Sequence, residues 1–303
     1  MTTLLLPERR HAASSVLERW IARADRLPDA APGNEASLRE VFTFDDPLSI
    51  AALTRQFDVG DAGDKLWLRA DPAWMRADMS TARMFAHGEL GVSPTEVTAL
   101  SPYLAELLAE RGLAFDAPNA TRWYLACPDS MSIPDFADPE CALGDDLRLH
   151  ALSGSEGKFW RVLANDIQML LHNHPVNEAR VARGAAPVNG LWLWGAGRLP
   201  RMIASDADAY FGDDPTAIAL ARAASVATHS LHEFIDGGGT SDAIIDLREL
   251  RSDALAAVID EIAADKVGIG KATIGLVFSS GERYRYLPSH RWRFWRSQEP
   301  ERE

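Results

Sequence analysis

The stretch Leu170–Gly197, LLHNHPVNEARVARGAAPVNGLWLWGAG, constrains the fold more than any other part of the chain. It sets His172, His174, Asn177, Arg180, Arg183 and Asn189 ahead of the apolar run Leu191–Trp194 and the glycines Gly195 and Gly197. A polar helical segment and a turn, followed by an apolar run of strand length, read as helix–turn–strand, a building unit of α/β folds. Asn177 and Arg180 are three apart and share a face on a helix. Gly195 and Gly197 let the chain turn where no side chain fits. The passage therefore brings groups able to hold an anion close to a glycine turn at a strand end.

The rest of the chain supplies the partners such a unit needs. Thr3–Leu6 reads as a short buried strand ended by Pro7, and Ala13–Arg26 as a helix followed by a loop over Leu27–Asn34. Ala36–Phe42 and Pro47–Phe57 read as helices, and DVGDAGD marks a boundary near Gly63. Leu66–Arg69, Ala82–Phe85, Leu113–Asp116 and Trp123–Cys127 read as strands. Between them Ser93-Pro-Thr-Glu96 is a capping box with Pro at the first helical position. It opens a helix with Leu100, Leu104, Leu107 and Leu108 on its apolar stripe and Gly112 as its stop. Asp129–Gly144 is a connector, and Gly157–His174 a long helix. Asp214–Thr228, Leu231–Phe234 and Arg251–Ala264 read as helices, Gly237–Ser241 as a flexible turn, and Ala243–Asp246, Ala272–Phe278 and Glu282–Leu287 as strands, the last two forming a hairpin. The order of elements gives an α/β fold. The expected division is 1–63, a smaller α/β unit at 64–128, and 129–303.

Size and charge limit the function classes. A chain of 303 residues has ample room for a core. Its formal net charge of −13 argues against nucleic acid or an anionic membrane as a bulk partner. No apolar run reaches the length of a membrane span, and MTTLLLPERRHAA does not read as a signal peptide. Cys127 and Cys141 lack metal-ligand spacing and are too few for a disulfide framework, which fits a reduced, cytoplasmic protein.

Each candidate side chain has two readings. Asn177 and Arg180 either hold the phosphate or carboxylate of a small ligand, which a planar guanidinium grips in two-pronged fashion, or serve as a helix cap and an ion pair with Glu178 or another acid. Arg69 and Arg183 are second candidates. His172 and His174 diverge on a helix and lack the carboxylates a metal site needs, so structural roles are expected. Leu191, Trp192 and Trp194 read as strand packing, with Asn189 and Trp194 beside the glycine turn where a ligand can approach. Arg283, Arg285, Arg291, Arg293 and Arg296 interleave with Tyr284, Tyr286, Trp292, Phe294 and Trp295; such a pattern can stack on nucleic acid, but strands with one buried aromatic face fit the acidic chain better. There is no G-x-S-x-G elbow, no P-loop and no G-x-G-x-x-G, and VGIGKAT (Val267–Thr273) lacks P-loop spacing, so no cofactor is expected.

The pattern HPVN-xx-R-xx-G-xxxxN-x-LWLWG-x-G resembles a segment of archaeal-type cofactor-independent phosphoglycerate mutases, of the alkaline phosphatase superfamily. It resembles RpfE-type regulatory proteins more closely, and the aromatic–basic ending adds to that likeness. The 64–128 unit is similar to the mutases' insertion domain, with Arg69 at the matching arginine and Asp71 where the family has asparagine. The resemblance covers about half the chain. It implies a degenerate alkaline-phosphatase-like core with a smaller α/β insertion-like domain, and a ligand pocket near Asn177, Arg180, Asn189, Trp194 and Arg69. In the mutases an Asp-Gly motif after the first strand, a Ser or Thr nucleophile and a late Asp/His cluster hold two divalent metals and run phosphoryl transfer. TTLLLPERR has no aspartate, and DAIIDLREL and GERYRYL stand where the late cluster belongs. The expected function is a non-catalytic regulatory protein or binder of a small phosphorylated or carboxylated ligand, with no catalytic residue and no metal. An active mutase or phosphatase with divergent ligands, and a pure protein–protein adaptor, are the alternatives.

Overall fold

The computed structural model describes residues 1–45, 47–77, 81–150, 152, 154–238, 242–264, 272–293 and 295–296. In chain order the strands are β1 (Thr2–Leu6), β2 (Asp25–Arg26), β3 (Thr43–Phe44), β4 (Leu66–Ala77), β5 (Ala82–His87), β6 (Ala114–Asp116), β7 (Tyr124–Cys127), β8 (Gly190–Gly197), β9 (Ile203–Ala204), β10 (Ala209–Phe211), β11 (Ala227–His229), β12 (Ala243–Asp246), β13 (Ile274–Phe278) and β14 (Arg283–Tyr286). The α-helices are α1 (Ser15–Arg23), α2 (Asn34–Arg39), α3 (Ile50–Asp58), α4 (Pro94–Ala109), α5 (Pro139–Ala142), α6 (Gly154–His172), α7 (Pro175–Ala182), α8 (Pro215–Ala223), α9 (Leu231–Gly237) and α10 (Ser252–Ala263).

The chain forms two compact units, one of Met1–Asp45 with Arg201–Glu303 and one of Asp46–Pro200. The first is a seven-stranded sheet in the order β11-β10-β12-β1-β13-β14-β2. Its five strands from β11 to β13 run parallel, and β14 and β2 add antiparallel pairings. The central strands β1, β12 and β13 are buried along their whole length, as a parallel strand covered on both faces must be. One face packs Leu4, Leu6, Ile245, Leu276 and Phe278 against Leu17 and Trp20 of α1, Phe234 of α9, and Leu255, Ile259 and Ile262 of α10.

The second unit is built on β4. β7 pairs with Leu66–Arg69, β5 with Ala73–Ala77 and β8 with Trp67–Ala73, all antiparallel, and β6 extends β7. Side chains alternate across a strand. Leu68 and Ala70 thus join the core with α4 (Leu100, Leu104, Leu108) and α6 (Trp160, Leu163, Ile167, Leu171). Trp67 packs instead with Ala51 and Ala52 of α3.

The units depart from the expected division. The smaller unit was expected at 64–128, with the Leu170–Gly197 passage in a C-terminal core. In the structure that passage belongs to the unit of Asp46–Pro200, because β8 pairs with β4 from Ala73↔Gly190 to Trp67↔Gly197. Within the first unit, the helix expected over Asp214–Thr228 ends at Ala223, and Ala227–His229 is a strand. The hairpin β13–β14 and the strand at Thr3–Leu6 stand as expected. Val267–Lys271, Gly239–Ser241 and Phe294 lie outside the described residues. Among the described residues no helix is long and apolar enough to cross a membrane.

Candidate functional site

The five candidate side chains fall into three places within the Asp46–Pro200 unit. Asn177 and Arg180 come together on α7, whose N-cap is His174; its Nδ1 accepts from Val176 N. Asn177 is buried, donates to the carbonyls of Leu171 and Val188 at 2.7 Å each, and accepts from Val188 N at 2.8 Å. Its amide thus ties the end of α6 to the approach to β8. Arg180 is fully buried: it donates to the carbonyls of Ala186 (2.8 Å), Leu90 (2.6 Å) and Gly91 (3.3 Å) and to Glu96 Oε2 (2.9 Å). Glu96 also accepts from Ser93 N at 2.8 Å and from Arg183 at 2.6 Å. Burial works against the ionised Glu96, but Ser93, Arg183 and Arg180 outweigh it and lower its pKa to about 2. Of the two readings of Asn177 and Arg180, the intramolecular one describes the bonds they make here. Their polar groups face backbone and Glu96 and join α4, α6, α7 and β8. Glu178 is not the partner; the capping-box glutamate is.

Arg69 and Trp194 come together at a second place, on the α3 face of the sheet. Arg69 donates to both oxygens of Asp71 at 2.8 Å and to Thr54 Oγ1 at 3.2 Å. Trp194 Nε1 donates to Asp71 Oδ2 at 2.8 Å, and the Arg69 guanidinium lies 5.1 Å from the Trp194 ring centroid. Asp71 is 1% exposed, so its charge is matched wholly within the protein. Asn189 stands apart from both places: its side chain accepts from Met75 N (2.8 Å) and donates to Met75 O (2.6 Å), acting as a surrogate ladder rung between β8 and β4.

The cluster that sequence reasoning missed lies in the other unit. Open α/β sheets bind ligands outside the carboxyl ends of their parallel strands. Asp246 ends β12 and Asp214 follows β10. Between them reaches Arg248, its side chain 4% exposed, 3.5 Å from Asp214. Asp246 accepts from Arg248 Nε (2.8 Å), Arg248 Nη2 (2.5 Å), Arg248 N (3.2 Å) and the Tyr210 hydroxyl (2.9 Å). Burial pushes the pKa of Tyr210 and Asp214 up, while the pull of Asp246 and Asp214 on Arg248 outweighs burial and keeps it charged. The signal available in sequence was Asp-Leu-Arg at the end of an apolar strand.

The donor set does not fit the two divalent metals that the family resemblance implies. A carboxylate offers about four lone-pair positions, and the four bonds to Asp246 occupy them. The permanent guanidinium charge of Arg248 lies 3.5 Å from Asp214. Among the described residues no group of three or more His, Cys, Asp and Glu side chains is placed to hold a metal ion.

No family model matches the chain. It is similar to the 2,3-bisphosphoglycerate-independent phosphoglycerate mutase of Methanosarcina mazei, at 25% identity over 211 residues, which is 67% of this chain and 52% of the relative. A probable enzyme of the same name from Geobacter sulfurreducens is 36% identical over 64 residues, 21% of this chain and 16% of that one. The chain spans about half the length of the curated relatives it matches over most of its own length. Among solved structures, a cofactor-independent phosphoglycerate mutase from Thermoplasma acidophilum aligns over 94% of this chain and 89% of its own, with a TM-score of 0.40 and 16% identity.

Proposed function

We propose that this chain is a phosphoglycerate-mutase-like protein that does not carry out phosphoryl transfer. In this reading it has an alkaline-phosphatase-like core of RpfE type and acts in the cytoplasm as a regulatory protein. It responds to a small phosphorylated or carboxylated ligand or to a protein partner. The observation that carries the reading is the Arg248 guanidinium held by Asp246 and Asp214 at the carboxyl ends of the parallel strands. Phosphoryl transfer needs positive charge directed at the transferred group. At these strand ends the one cation of the cluster is already matched by two carboxylates and shielded from solvent. The similarity to mutases supports the ancestry.

The test is metal analysis of the purified protein, together with calorimetric titration of 3-phosphoglycerate with and without manganese while 2-phosphoglycerate is followed. The expected outcome is no tightly bound pair of divalent ions and no turnover. Metal-dependent turnover overturns the reading and makes the protein an active mutase or phosphatase with divergent ligands. Binding of 3-phosphoglycerate without turnover selects the small-ligand form of the reading, and absence of binding selects the protein-partner form.

A further inference from the structure

Strand β8 pairs with β4 and with no other strand among the described residues. The segment from Asp129 to His150 passes over its first residues. Trp192 Nε1 donates to Ala137 O at 3.0 Å, and Trp160 Nε1 of α6 donates to Ser132 O at 3.3 Å. Between this segment, the strand edge and α6 lies a cavity of about 160 Å³ walled by Trp160, Trp192, Phe136, Leu191, Leu193 and Met75. Phe136 meets Trp160 edge-on at 5.3 Å. Both indole N–H groups are already donated to backbone, so the rings offer apolar surface to an occupant.

The mouth of the cavity is chemically different. Arg161, Ala164 and Gln168 line it at spacings of three and four, so they form one stripe along α6. Arg161 donates from Nη1 to Leu152 O. Its other guanidinium N–H groups, and the Gln168 amide, have no partner among the described residues. His150 is the other basic group at the cavity and pairs with Asp145 at 3.1 Å. Among the described residues no aspartate or glutamate lines it. Arg161, Ala164 and Gln168 are all exposed, and at Ala164 the side chain is a single methyl.

We infer that this cavity binds a small aromatic carboxylate, with the ring between the Trp160 and Trp192 walls and the carboxylate on Arg161 and Gln168. An apolar cavity of about 150 Å³ takes a benzene molecule, so a single ring fits. Aromatic walls favour offset or edge-on ring contacts over plain aliphatic packing. A guanidinium with N–H groups unpartnered among the described residues, in a described lining free of carboxylates, selects an anionic head. The site shares no residue with the Asp246–Arg248 cluster and does not depend on whether the protein transfers phosphate.

Phenylacetate, titrated into the intact protein and followed by tryptophan fluorescence and calorimetry, tests the site, with benzyl alcohol as the uncharged counterpart. Ala164→Phe closes the mouth at an exposed helix position; Arg161→Gln removes the charge and keeps the helix. The expected result is saturable phenylacetate binding that Ala164→Phe abolishes and Arg161→Gln weakens about tenfold or more, the range of a lost charge-assisted bond. Benzyl alcohol binding is expected to be unmoved by Arg161→Gln, and any response to 3-phosphoglycerate unmoved by Ala164→Phe. Absence of saturable phenylacetate binding overturns the assignment. So does equal affinity in the wild type and in variants whose circular dichroism is unchanged. If Ala164→Phe fails to fold, Arg161→Gln decides alone.

Discussion

At the scale of single residues, the arginines that sequence reading offered to a ligand are each paired with a carboxylate of the chain itself. Glu96 carries the largest consequence, because it fixes Arg180, whose side chain is fully buried, and also takes Arg183. Its pKa falls from the ordinary 4.5 to about 2. A carboxyl whose folded pKa lies below its unfolded value adds stability above the unfolded value and loses it as pH falls through the folded one. The window for Glu96 therefore runs from about pH 4.5 down to about pH 2. A shift of that size corresponds to about 3 kcal/mol. Glu96→Gln is expected to cost about 2–3 kcal/mol at pH 7, since Arg180 then lies buried without its counter-charge. Urea unfolding of both proteins at pH 7, 4 and 3 reads this. The gap between them should narrow as pH falls, and a gap that stays constant with pH would mean that Glu96 acts by packing and not by charge.

At the scale of elements, local chemistry was legible wherever it was complete within a few residues. The capping box read from Ser93 and Glu96 exists with both of its reciprocal bonds. The short strands were not legible. β10 and β11 have three residues each, too few for a period to emerge. The alanines from Ala217 to Ala224 carry helix propensity up to the edge of β11, and what stops the helix is Ser225 at φ 60°, a conformation that no serine announces. The partner of Arg180 lies 84 positions away, beyond any helical or strand period. Gly195 was read as part of a glycine turn at the strand's exit; it lies instead within β8, where the pairing with β4 shifts register. It sits at φ +65°, and a Cβ there would stand 3.0 Å from Ile50 Cβ and 3.4 Å from Ala51 N at the start of α3. Left-handed backbone costs a residue with a Cβ about 1–2 kcal/mol, and the contact with α3 adds to that. Gly195→Ala is therefore expected to lower unfolding free energy by more than about 1 kcal/mol. A thermal melt showing no loss would mean that β8 and α3 accommodate a Cβ at this position.

At the scale of the molecule, the two units differ in how their chains close. In the first, β1 must find β12 and β13, with Thr3 opposite Ile244 and Gly275, so its central pairings wait for nearly the whole sequence. In the second, every strand pairing from β4 to β8 lies between Leu66 and Gly197. Its cores are likewise internal: Leu68, Leu100, Leu104, Trp160, Leu163 and Leu193 pack together on one face of the sheet, and Ala51, Ala52, Trp67 and Tyr124 on the other. Closing a loop costs entropy that grows with its length, and a unit that is continuous in sequence with its own core meets the requirements for folding alone. Residues 46–200 produced by themselves are expected to unfold in one cooperative urea transition and to give dispersed amide resonances. The chain cut after residue 200 should show that same transition and no second one, because β1 then lacks both neighbours. Collapse without cooperative unfolding in the 46–200 piece would mean that its core is completed from outside its own sequence.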